Sequence, residues 1–126
     1  MDIVKDVLEA WSEADRLLRE ILESRFVRPV LDVAYRKGLT LRAVAERDKD
    51  GREYYPHFQF YDRESRQWVP IRRSQEPSIL LEFMSPERLI AMKSLIMLRN
   101  HVTWFISNTR KWAHAIGLPI EEERRR

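Results

Sequence analysis

No cysteine occurs among the 126 residues. Disulfides, thiolate nucleophiles and cysteine-held metals are therefore excluded. Histidine is nearly as scarce: His57, His101 and His114 stand apart, without metal-ligand spacing. Three glycines leave no phosphate-cradling loop, and no nucleophile stands in a recognisable catalytic motif. Glu76, Glu82 and Glu87 are most simply charges at helix ends. Neither a cofactor nor an enzymatic activity is expected. Two Asn, three Gln and an excess of Arg over Lys, 18 to five, are compatible with a heat-adapted source.

Long apolar runs are missing too. The most apolar stretch, 89–107, is interrupted by Lys93, Arg99, Asn100 and His101. It is not read as a membrane span. The opening Met1-Asp2-Ile3-Val4-Lys5-Asp6 lacks the basic lead and apolar run of a signal peptide. These absences favour a cytoplasmic location.

What is present describes one domain. The chain is 44% hydrophobic and 34% charged, too apolar for disorder and long enough to bury a core. Net charge is +3, unevenly spread. Residues 1–35 carry five basic and eight acidic side chains, 36–75 ten and six, and 76–126 eight and six. Positive charge on the middle and end of the chain points to an anionic partner on one side.

Asp2 is placed to cap a first helix running to about Ser24 or Arg25 within residues 1–25. Val4, Val7, Trp11, Ala14, Leu18 and Ile21 alternate at spacings of three and four, a heptad seam widened by Leu8, Leu17 and Leu22. Pro29 starts and Gly38 ends a short second helix over 29–37. From Leu39 the period becomes two, and residues 39–73 are predicted to form an antiparallel sheet of three strands, or of four. Asp50-Gly51 is the first turn. Residues 63–66 are the second, and Pro70 marks an edge strand. A short helix is possible over 77–84. Ser85-Pro86-Glu87 opens a long helix, 86–116, stopped by Gly117 and Pro119. The tail, 117–126, ends in a block of charge. The fold class is α+β, with the N-terminal helix and the long C-terminal helix packed on one sheet face.

The two turns, placed independently, assign the same faces. Leu41, Ala43, Phe58, Phe60, Val69 and Ile71 form a core face. Arg42 opposite Gln59, Val44 opposite His57, Glu46 opposite Tyr55, Tyr61 opposite Trp68 and His57 opposite Arg72 form the other. A one-residue slip would mix the two sets, so register is well specified. Tyr55, His57, Tyr61 and Trp68 can stack on nucleobases. Arg42 and Arg72 can contact phosphates, and Gln59 can reach base edges. Arg47, Lys49, Arg52, Arg63 and Arg66 ring the face through the turns. Two other readings stand beside this one: cross-strand aromatic pairs that only stabilise the sheet, or a face covered by the first helix. On the long helix Trp104 falls among Asn100, Ser107, Asn108 and Lys111. It would either extend the binding surface, with Lys111 as a phosphate contact, or pack in a subunit interface.

Amphipathic helix, aromatic antiparallel sheet and long helix, in that order and with the segment Tyr54-Tyr55-Pro56-His57-Phe58-Gln59-Phe60-Tyr61, resemble the ThermoDBP-related single-stranded nucleic-acid-binding proteins of thermophilic archaea. The resemblance spans Val4 to Ile116. It implies a basic, aromatic cleft framed by sheet and helices, and assembly into dimers or higher oligomers. The family type protein's C-terminal leucine-zipper extension has no counterpart here, which leaves the Val4–Ile21 seam for assembly. The expected partners are single-stranded DNA or RNA and further copies of the chain as a dimer or tetramer, with no membrane. The competing reading is a filament or coat subunit whose aromatic sheet face is a protein interface.

Overall fold

A computed structural model describes residues 2–118; the charged block Glu121–Arg126 lies outside the described residues. The order is α1 (Ile3–Ile21), a π-helical segment (Leu22–Val27), α2 (Arg28–Arg36), β1 (Leu41–Arg47), β2 (Glu53–Asp62), β3 (Gln67–Pro70), α3 (Glu76–Leu80) and α4 (Pro86–Ala115). The three strands form one antiparallel sheet in the order β1-β2-β3. The fold is α+β.

Local chemistry explains the ends. Asp2 accepts from the Lys5 backbone N–H at 3.0 Å and caps α1. Ser85 does the same for α4 through Arg88 N–H at 3.3 Å, with Pro86 in the first turn. After α2, Gly38 takes φ +92 and the chain reverses, Leu39 N–H reaching Ala34 O at 2.9 Å.

The break expected near Arg25 is absent. Helical winding continues from Ile3 to Arg36 and only widens, over Leu22–Val27, into a π-helical segment. Pro29 has no N–H, so Arg25 O loses the donor that an α-helix would give it. The Arg88 guanidinium donates to that carbonyl instead. A freed backbone acceptor and a long cation from α4 replace a helix end.

One core lies between the sheet and the helices. Phe58, Leu41 and Ile71 meet Leu22, Phe26, Val27, Val30 and Ala34 of the π-helical segment and α2, with Leu80, Phe83 and Met92 closing it. The second half of α4 pairs with α1 in the antiparallel sense, around a small cluster of Leu8 and Ala113 with Val4 and Ile106. Between that pair and the start of β2 lies a charged group. Arg99 is only 2% exposed; it donates to Asp15 Oδ1 at 2.7 Å and to the Glu53 carbonyl at 2.6 Å. Arg19 also pairs with Glu53, and Arg47 lies 3.5 Å from it. The cation that breaks the apolar run of α4 is thus a tie joining α1, α4 and β2. Among the described residues no helix is long and apolar enough to cross a membrane.

Candidate nucleic-acid interface

Sheet register decides which side chains share the outer face. From Val44 to Leu41 on β1 and from His57 to Phe60 on β2 the pairs are those expected: Leu41–Phe60, Arg42–Gln59, Ala43–Phe58 and Val44–His57. The β2–β3 pairs Gln59–Pro70, Phe60–Val69 and Tyr61–Trp68 also match, and Ile71 N–H donates to Phe58 O at 3.0 Å just past β3. Strand β3 ends at Pro70, short of the expected Arg73, so Arg72 lies in the following turn and does not pair with His57.

Near the first turn the expectation fails. The turn is a three-residue loop, Lys49-Asp50-Gly51, closed by Asp48 N–H on Arg52 O at 2.9 Å, with Gly51 at φ +81. Glu46 therefore faces Tyr54 rather than Tyr55. A bulge on β2 absorbs the difference: Tyr55 and Pro56 together oppose Ala45. Pro56 is the reason. Strand β2 is central, and a proline there cannot donate to the ladder, so it belongs in a bulge. The sequence carries this signal in Pro56 as it carries the edge-strand signal in Pro70.

The bulge exchanges two tyrosines. By pairing, Tyr54 now shares a face with His57, and Tyr55 turns toward α1. Its hydroxyl donates to the Glu23 carboxylate, and Arg19 lies over its ring at 5.6 Å. Burial first, and the Glu23 hydrogen bond second, push the Tyr55 phenol pKa above its ordinary value. Tyr55 is a helix-to-sheet tie and leaves the candidate stacking set.

Four expected residues do come together. The Arg42 guanidinium lies 4.3 Å from the Trp68 ring centre, and its Nε donates to Gln59 Oε1 at 2.8 Å. Tyr61 meets Trp68 edge-on at 5.3 Å. Every one of these hydrogen-bond and ring partners belongs to the sheet. Arg42 is exposed; Gln59, Tyr61 and Trp68 are half-buried. The stacking fixes side chains that would otherwise cost rotamer entropy on binding. His57 continues the row, its Nδ1 3.8 Å from Glu46.

The arginines divide. Arg63, Arg66, Arg72 and Arg73 are exposed around the β2–β3 turn and the chain leaving β3. Arg47 is turned to Glu53, and Arg52 is held by Asp48, 3.2 Å from its Nε, and lies over the Tyr54 ring at 5.6 Å. These two are engaged in local pairs. Burial pushes the Asp48 carboxyl up, but hydrogen bonds from Arg52, Tyr54 and the Asp50 backbone outweigh it, so its pKa falls below the ordinary value. Beside the bulge a cleft of about 600 Å³ opens toward α4, lined by Tyr54, His57, Arg73, Lys93 and Asn100 among others. Asn100 Oδ1 is buried there without a protein partner. Lys93 is paired with the buried Glu76.

Trp104 and Lys111 do not join the sheet row. Trp104 packs edge-on with Phe105 at 5.2 Å and Trp112 at 6.1 Å, on the outer side of α4. It shares only a smaller cleft with Arg52, Asn100 and His101. Lys111 is exposed on the same helix. No family model, curated protein or solved structure matches the chain.

Proposed function

We propose that the chain binds single-stranded nucleic acid with little sequence preference, through the outer sheet face. One observation carries the reading. Arg42, Gln59, Tyr61 and Trp68 form a pre-arranged row whose partners all lie in the sheet, so its outer side is left to a ligand. Exposed arginines flank that row, Arg63 and Arg66 in the β2–β3 turn at one end and Arg72 and Arg73 in the chain leaving β3 at the other.

The chemistry suits a flexible, anionic and aromatic partner. A base stacked on Trp68 or on the Arg42 guanidinium gains roughly 1–3 kcal/mol per contact, whatever its identity. Arg63, Arg66, Arg72 and Arg73 supply phosphate contacts, each weakening with salt. Gln59 gives its amide oxygen to Arg42, which leaves its N–H₂ group to face a base edge. Splayed single strands offer all three groups at once, whereas a duplex hides its base faces. The resemblance in element order to the ThermoDBP-related proteins leads to the same proposal.

Titration of tryptophan fluorescence with oligo-dT and oligo-U tests it. The expected result is binding of both, with log K falling by about 0.7 per phosphate contacted for each tenfold rise in salt. No salt-sensitive binding at low ionic strength would defeat the reading.

A further inference from the structure

Clefts where helices meet the sheet differ in charge among the described residues. The one beside the bulge sets Arg73 and Lys93 against Glu46, Asp48 and Glu76. The one between α1 and β1 sets Arg19 against Glu20, Glu23 and Glu53. Another, of about 310 Å³, lies between α1, α4 and the start of β2 and has the opposite balance. There Arg19, Arg47, Arg99 and Arg110 face Asp15 and Glu53. Four guanidiniums against two carboxylates leave an excess of two positive charges. Glu13 and Glu20 of α1 do not offset it, because both are paired with Arg16.

Acceptors in this cleft are oversubscribed. The Glu53 carboxylate is shared by Arg19, Arg47 and Arg99, the last two at 3.5 Å. Asp15 accepts from Arg99 at 2.7 Å and lies 3.9 Å from Arg19 Nε, which is buried without a hydrogen-bond acceptor. Guanidinium donors outnumber carboxylate acceptor sites even before Arg110 is counted. The cations also press on one another. Burial first, and the Arg99 charge second, push the Arg19 pKa below its ordinary value, and Arg47 acts in the same direction. Side-chain exposure falls from 71% at Arg47 through 38% at Arg19 to 2% at Arg99. The cleft therefore has an exposed cation at its rim and a sealed one at its floor. Ser12, also exposed, adds a hydroxyl donor.

We infer that this cleft binds a phosphate group, free or at the end of a larger molecule. An oxyanion brings the acceptors and the negative charge that the cluster lacks, and guanidiniums grip it through paired N–H groups. Charge selects the class. A terminal phosphate carries roughly −1.5 to −2 at neutral pH, which matches the excess, whereas a carboxylate or an internal phosphodiester brings a single charge. Size agrees, since about 310 Å³ is at the lower limit of clefts that hold a drug-sized ligand. No aromatic ring lines the cleft, and it contains none of Arg42, Gln59, Tyr61 or Trp68. It is thus separate from the base-stacking row.

Isothermal titration of the full chain with sodium phosphate, at ionic strength held constant with chloride, tests the inference. The expected result is saturable one-to-one binding. Ser12→Asp adds a carboxylate to the cleft, and Arg47→Gln removes its rim cation. Both positions are exposed, so each variant keeps the native circular dichroism spectrum. Each is expected to raise the phosphate dissociation constant at least about tenfold. Arg63→Gln, in the β2–β3 turn, is expected to leave it unchanged. Titration with oligo-dT, with and without a 5′-phosphate, identifies the source. Tighter binding of the phosphorylated strand, lost in Ser12→Asp, makes the group a strand end; equal binding makes it a free anion. No saturable phosphate binding overturns the inference and leaves the reading of the sheet row standing. So does binding that neither Ser12→Asp nor Arg47→Gln weakens, because the anion then sits elsewhere.

Discussion

Two aromatic groups lie on this molecule, and they keep different company. On the sheet, Tyr61 and Trp68 stand with Arg42 and Gln59, and exposed arginines lie close by. On the helix pair, Trp11 stacks on Phe105, and Trp104 packs edge-on with Phe105 and Trp112, ring against ring. An aromatic ring offers a face to bases and a hydrophobic body to proteins. Its neighbours decide which is used. Guanidinium and amide groups keep the sheet group wet and attractive to phosphate, while the helix group gains most by leaving water.

The strongest way to break this comparison is to remove what separates the two groups. Arg99 holds α4 to α1 and β2. Arg99→Ala leaves Asp15 and Glu53 facing an empty, partly buried site. Loss of one partner of a buried pair costs about 3–5 kcal/mol; both carboxylates keep some solvent contact, so the lower end is expected. Urea denaturation of the variant measures it, and a loss within error of zero would deny the tie its role.

A cleaner separation comes from one substitution in each group. Trp68→Ala is expected to weaken oligo-dT binding by about 1–3 kcal/mol, roughly 5- to 150-fold. Trp112→Ala, on the outer side of α4, is expected to leave that affinity within about twofold. Equal effects on nucleic-acid binding would mean that the strand crosses both groups.

Smaller still is the effect of the exposed arginines. Arg63→Ala and Arg66→Ala are each expected to lower affinity several-fold for every sequence alike. Each should also reduce the salt slope by about 0.7. Arg47→Ala, whose side chain is turned to Glu53, should not change that slope. Titrations over a range of salt concentrations distinguish them.

Tyr55 supplies the finest test, because it belongs to neither group. Tyr55→Phe is expected to leave oligonucleotide affinity unchanged. Its phenol pKa is raised in the folded chain, by burial and then by Glu23. The contribution to stability is therefore complete below the unfolded value of about 10 and is lost as pH rises beyond it. Thermal melts of both proteins between neutral pH and pH about 11 should show a steeper alkaline loss for wild type than for Tyr55→Phe. Parallel curves would mean that the tie to Glu23 does not hold the phenol.

Much of this was legible beforehand. Alternating residues in 39–73 gave the strands, and Ser85-Pro86 and Asp2 gave two helix starts within a residue. Arg42, Gln59, Tyr61 and Trp68 were placed on one face by the expected register, which holds there because the three-residue first loop and the bulge on β2 offset one another. Tyr55 was not, because its direction depends on a bulge, and the bulge follows from Pro56 being in a central strand. Arg99 was read only as an interruption of an apolar run; its partners Asp15 and Glu53 are distant in sequence and carry no local signature.

The sequence by itself determined the periodicities, and with them the element types, the core face of the sheet and the aromatic row opposite it. Those follow from steric and hydrophobic patterns that act over a few residues. Tertiary structure alone decided the rest. It continued the helix through Pro29 because Arg88 reached the orphaned carbonyl, and it turned Tyr55 to Glu23. It also paired α1 with one side of α4, leaving Leu98, Phe105 and Trp112 exposed among the described residues. Each of these depends on which distant group arrives to satisfy a donor, a charge or an apolar surface, and sequence spacing does not encode that arrival.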